Sequence, residues 1–355
     1  MMTALSPTAH HPVLHRLIDE ARRFPPEYAD QLSNHLPMAL TALAALGADE
    51  AQMRAFFASY SRHFEGQPAG DDSAAPLADW SAHRGQFAAF DKLRVSFAAA
   101  ISLDGRDDVL NAALPLLLTG IGAAAFHGAI RTAHAIDSQH DGELAAGLAY
   151  WAARWMPLEP PTAGDPIFDE VADWLDAIDA RLLTADAGWR SNAPLISLRM
   201  QEAVHTHAYQ NLAGTLRLTP DALGDLATAA AERYARTGNF TVLHMITAAN
   251  AAMTMAAWLP MGDPNALAPL WHAVAAASLA SRVATTPMPK DDAGPARDWP
   301  QVRTLALASD DDHVIKLVHA MAVQQSRAPD RLWLQAASRA VSAMSAKSII
   351  SAKSV

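Results

Sequence analysis

The chain has 355 residues and no cysteine. That excludes disulfides, thiolate metal ligands, iron–sulfur clusters and a cysteine nucleophile. Any metal would be held by nitrogen and oxygen. Basic charge is also short: 27 Lys and Arg face 37 Asp and Glu, a net charge of −10 with histidines neutral. Nucleic acid and anionic membranes both select basic patches, so neither partner is expected. Signature motifs are absent too. No G-x-G-x-x-G follows a strand, and there is no G-x-x-x-x-G-K-[ST], H-E-x-x-H or G-x-S-x-G. The opening MMTALSPTAHHPVLHRLIDEARRF has no apolar run of signal-peptide length, which makes the cytoplasm the expected location. The most apolar stretch, NAALPLLLTGIGAAAFHGAI (111–130), holds a proline and a histidine. It reads as buried structure and not as a membrane span.

What is there is mostly alanine and leucine at helical spacing, with little β-branched alternation. The periodicity predicts helices near 10–23, 28–46, 50–62, 86–101, 106–118, 121–137, 143–154, 168–183, 192–212, 220–236, 240–258, 265–282, 299–307, 310–325 and 329–345. Proline- and glycine-rich stretches at 65–76, 156–166 and 285–300 read as loops. Gly47 is a candidate C-cap, and Asp310 to Asp312 suit a helix start. The fold class expected is all-α: a single multi-helix globular bundle with buried central helices. One domain is expected over 1–355, its core motifs at 34–320, with 1–9 and 346–355 as peripheral tails.

Fifteen histidines are many for this length. Four stand in matching settings, each on a face of mostly small residues. His35 shares a face with Ala39 and Ala42, and Pro37 places it near a helix start. His127, Arg131 and His134 form a narrow polar stripe on an otherwise apolar helix. His244 shares its face with Ala248 and Ala251. His313 shares its face with Leu317 and Ala320, with Lys316 beside it. Two readings stand at this level. Such histidines can be hydrogen-bonded core residues, or they can converge on a ligand. Likewise, His313, Lys316 and His319 fall within one arc of a helix, which could be a solvated face.

The motifs NHLPMALTALAALGA (34–48), AAAFHGAIRTAHAID (123–137), FTVLHMITAANA (240–251) and DDDHVIKLVHA (310–320), in this order, resemble the questin oxidase-like family. The resemblance implies an all-helical oxygenase that oxidises or cleaves a ring of an anthraquinone-like aromatic polyketide. It implies a non-haem Fe(II) centre built from histidines and a lysine carrying a carboxyl group. By position these are His35, His127, His244, His313 and Lys316. Dioxygen and a small aromatic substrate would be the partners, and NADPH is admitted as an external reductant. The fungal pattern often has a histidine where this chain has Arg131, and an aromatic residue where it has His134.

The chemistry is coherent. Imidazoles suit first-row metals. His313 and Lys316, at i and i+3, can meet on one helix face. Burial and a nearby cation lower a lysine's pKa, and a neutral amine can add carbon dioxide to give a carbamate. Lys316 would then supply an oxygen ligand where no Asp or Glu reaches. Arg131 and His134 are assigned to catalysis, behind the ligands or in the substrate pocket, with Arg131 stabilising a phenolate or quinone oxygen that gains charge. Arg131 could equally be a buried partner for an acid such as Asp137. His205, His207 and Tyr209 read as structural; Trp151, Trp155 and Trp258 could stack on a planar substrate. The alternatives are a metal-dependent hydrolase, and a metal-free helical protein binding a hydrophobic ligand. The sequence sets no oligomeric state.

Overall fold

The computed structural model describes residues 5–9, 11–162, 164–219, 221–285 and 297–352. In chain order the elements are α1 (Pro12–Ala21), β1 (Glu27–Tyr28), β2 (Leu32–Ser33), α2 (Leu36–Ala45), α3 (Glu50–Tyr60), α4 (Phe90–Asp104), α5 (Arg106–Leu118), α6 (His127–Ser138), α7 (Asp141–Arg154), α8 (Val171–Thr184), α9 (Ile196–Ala203), α10 (His207–Leu212), α11 (Ala222–Thr237), α12 (Phe240–Met255), α13 (Pro264–Ser281), α14 (Trp299–Leu307), α15 (Asp312–Arg327) and α16 (Arg331–Ala352). The fold is all-α, with β1 and β2 paired as a small antiparallel hairpin.

Four helices form the centre. α2 packs against α6 and α15, and α12 packs against the same two, closing a ring. α2 and α12 are apolar nearly all round, so no surface stripe is left for water. Phe240–Trp258 is long and apolar enough to cross a membrane, but 72% of that span is buried among its neighbours. α7 and α11 form an outer layer on α6 and α12. α6 and α7 approach closely because Gly128 faces Trp151 and Gly147 faces Thr132; a Cβ on Gly128 would stand 2.6 Å from Trp151 Cβ.

Local signals hold where caps are strong. Gly47 takes φ +88°, and the amides of Gly47 and Ala48 return to Ala44 and Leu43. Asp311 caps α15 through the amides of His313 and Val314. Three expected helices are shorter or broken. The 28–46 helix begins only at Leu36, because the hairpin occupies 27–33. The 121–137 helix begins at His127, because Ala124, Ala125 and Phe126 adopt left-handed φ of +45°, +56° and +69°. The 192–212 helix splits into α9 and α10, with Thr206 capping the second. At the ends, Ser6 donates to Ala45 O and the Thr8 hydroxyl to Asp137 O, so 5–9 are tied to the body. The expected tail 346–355 is helical as far as Ala352. Most of the expected 285–300 loop lies outside the described residues, as do 1–4 and 353–355 of the tails.

Candidate metal centre

The four central helices all present their N-terminal ends to one place. His35 is the N-cap of α2, His127 the first residue of α6, His244 lies one turn into α12, and His313 is the second residue of α15. Their rings converge. His35 stacks on His127 at 4.5 Å between centroids and meets His313 at 4.7 Å. His244 lies 5.0 Å from His127 and 5.4 Å from His313. His35, His127 and His313 offer ring nitrogens within 4.8 Å of one another, a three-histidine group that could hold a metal ion. His244 stands just outside that tighter group.

Each ring is fixed by its other nitrogen. His127 Nδ1 lies 2.5 Å from Ala124 O, and His244 Nδ1 lies 2.8 Å from Phe240 O. A carbonyl oxygen can only accept, so both Nδ1 atoms carry the proton and both Nε2 atoms keep a lone pair. His35 Nδ1 hydrogen-bonds Asp312 Oδ1 at 2.6 Å, which imposes the same tautomer, and His313 Nδ1 stands 3.1 Å from that oxygen. The Nε2 atoms of His35 and His127 are buried with no hydrogen-bond partner. Orphaned buried nitrogens with a lone pair are what a first-row cation would satisfy, so these residues fit a metal. The left-handed run at 124–126 puts the Ala124 carbonyl under His127, a strained backbone at a candidate site.

Burial depresses the pKa of all four imidazoles. His244 falls to about 3, and His127 and His313 fall well below the ordinary histidine range. In His35 the desolvation is partly opposed by Asp312. All four are therefore neutral near pH 7, the form that binds a cation. Lys316 is buried with its Nζ 3.2 Å from Asp312 Oδ1; desolvation lowers its pKa and the aspartate works against that. Burial pushes the Asp312 carboxyl up, yet His35, His313 and Lys316 outweigh it and hold the group well below the usual carboxylate range.

A cavity of about 530 Å³ opens beside the four imidazoles. Tyr28, Leu32, Trp155, Met156, Leu198 and Phe240 supply aromatic and apolar wall. The Phe240 ring lies 4.8 Å from both His244 and His313 and is 54% exposed. On another wall Arg154 pairs with Glu27 and lies over the Phe87 ring.

His35, His127, His244 and His313 are thus brought together, with Lys316 behind them. Arg131 and His134 are not among the residues lining the cavity. The Arg131 guanidinium is paired with Glu143, at 2.5 and 3.0 Å, in a buried ion pair that leaves Nη1 without a partner. The buried acid partner is thus Glu143, in the place for which Asp137 was the example. His134 lies one helical repeat deeper, its ring 5.5 Å from His319. Nor is the His313–Lys316–His319 arc a solvated face: Lys316 and His319 are buried. The expectation that no Asp or Glu reaches the centre is also overturned. Asp312 reaches it, because Asp311 takes the cap and leaves the next side chain turned inward. Its spacing, one before His313 and four before Lys316, was the available signal. His205 and His207 are exposed, Tyr209 is buried, and none of the three lines the cavity. Trp155 reaches the cavity; Trp151 is core, and Trp258 bonds Asp107.

Fold and site together define a helical protein with a buried polyhistidine centre opening on an apolar cavity. Residues 32–321 match the family model described as Questin oxidase-like, and the chain belongs to that family. No curated protein matches the chain.

Proposed function

We propose that the protein is a metal-dependent oxidase acting in the cytoplasm on an aromatic polyketide, with non-haem Fe(II) held by His35, His127, His244 and His313. The observation that carries this reading is the convergence of four imidazoles, three of them with Nδ1 hydrogen-bonded to an acceptor, beside a cavity walled by aromatic residues. The family's name supports oxidation. Iron would supply the one-electron chemistry that dioxygen requires; the chain supplies a dry pocket and orientation.

Phe240 and Trp155 present ring faces and edges suited to a planar, anthraquinone-like substrate. Tyr28, its pKa raised chiefly by burial, stays protonated and can donate to a substrate oxygen. Leu32, Leu198 and Met156 exclude water around the reacting ring. Lys316 supplies a fifth ligand as a carbamate. Burial, which lowers the lysine pKa, favours the deprotonated amine, and that form adds to carbon dioxide, making an N–C bond and releasing one proton to solvent. That step breaks the Lys316–Asp312 pair. NADPH enters only as an external electron donor, and no residue is assigned to it.

The test is metal content after anaerobic purification, in wild type, His244→Ala and Lys316→Ala. Wild type should carry iron and both variants much less; equal content in all three defeats the assignment. A second reading rests on the tighter group. Three histidines are also a catalytic zinc set, which would ionise a water for hydrolysis. Zinc in the purified protein with no oxygen uptake would favour it.

A further inference from the structure

We propose that Asp312 is a positioning residue of this centre, holding His35 by a hydrogen bond in the tautomer that turns Nε2 toward the cavity and keeping His313 in place beside it. The inference rests on the metal-binding reading above.

His127 and His244 find backbone carbonyls for their Nδ1 protons. His35 uses a side chain instead, and His313 Nδ1 stands close to the same carboxylate. A single oxygen, Asp312 Oδ1, lies 2.6 Å from His35 Nδ1, 3.1 Å from His313 Nδ1 and 3.2 Å from Lys316 Nζ. It ties the start of α2 to the start of α15, hydrogen-bonded to the His35 ring and in close contact with the His313 ring. A carboxylate hydrogen-bonded to a ligating imidazole fixes the tautomer and raises the basicity of the other nitrogen.

Charge points the same way. Four helix N-termini face this place, each carrying roughly half a positive charge. A dication would meet repulsion there unless an anion stood close. Asp312 is that anion, and it touches two of the four rings directly.

The test uses cobalt(II) as probe, titrated anaerobically against a competing chelator, with wild type, Asp312→Asn and Asp312→Ala. Circular dichroism checks the fold. Asn keeps the volume and one acceptor oxygen but loses the charge; Ala loses both. Asp312→Ala should bind cobalt about 10–100-fold more weakly, with an altered visible spectrum, and Asp312→Asn should fall between. Nitrogen-15 spectra of labelled histidine add a readout that mere loss of stability would not move. In the wild type the His35 ring should show the Nδ1–H tautomer, and in Asp312→Ala it should leave it. If Asp312→Ala does not fold, Asp312→Asn decides on the same measurements. Folded variants with wild-type affinity, spectrum and tautomers overturn the inference while leaving the metal reading standing. A wild type that takes up no cobalt removes both.

Discussion

At the scale of single residues, burial of neutral imidazole has consequences beyond the centre. His319 is buried behind Lys316, and its Nδ1 has no hydrogen-bond partner. Desolvation lowers its pKa to about 4. Unfolded, this ring takes a proton below about pH 6.5; folded, it resists until about 4. Stability is therefore unaffected above pH 6.5 and is lost as pH falls through the window to 4. The loss is on the order of 3 kcal/mol by the bottom of that window. His319→Leu should flatten the dependence of Tm on pH between 6.5 and 4. An unchanged slope would show that this imidazole is not held neutral. Lys316 gives a second expectation. A carbamate has the oxygens of a carboxylate, so Lys316→Glu should keep part of the metal and Lys316→Met should lose most of it. Metal analysis with mass spectrometry at low cone energy checks both arms, and equal metal in Lys316→Met would exclude the lysine as a ligand.

At the scale of elements, the sequence was read well where a cap states a boundary. Pro37 placed His35 at a helix start, Gly47 closed that helix, and the aspartates at 310–312 opened α15. It was read poorly where tertiary contacts override periodicity. Nothing in GIGAAAF announces three left-handed residues, since alanine and phenylalanine gain nothing locally from φ > 0. The conformation is held from outside, by burial and by the His127 ring on the Ala124 carbonyl. Asp312 was missed for a related reason. Three aspartates in a row look equivalent, and only the cap taken by Asp311 and the packing of α15 on α2 make one of them internal. Close packing of α6 on α7 yields a prediction at this scale. Ala at Gly128 would drive a methyl against Trp151, contacting its Cβ and backbone Cα at 2.6 and 2.7 Å, where no flexible end can move aside. Gly128→Ala should cost about 1–3 kcal/mol, and because His127 is the adjacent residue it should also reduce metal content. Denaturant unfolding measures the first effect, and an unaltered midpoint would mean that the two helices separate freely.

At the scale of the whole molecule, the convergence itself was legible only through the family resemblance. Periodicity can put a histidine on a face, but it cannot say that four faces turn to one point across nearly three hundred residues. The structure supplies the physical reason. α2, α6, α12 and α15 form one ring and start at one end, so ligands that are remote in sequence become neighbours. It follows that a bound cation ties together the starts of four helices that no disulfide links. Folding and metal binding must then be linked, because the unfolded chain cannot gather these rings. At a hundredfold excess over Kd, a metal that binds only the native state adds about 2.7 kcal/mol. Cobalt(II) or iron(II), added anaerobically to chelator-stripped protein, should therefore raise Tm by several degrees. Magnesium, which prefers oxygen ligands, should not. His35→Ala and His244→Ala should each remove most of that rise while altering the metal-free Tm far less. A Tm that ignores cobalt in the wild type would mean that the four imidazoles are a polar core and nothing more.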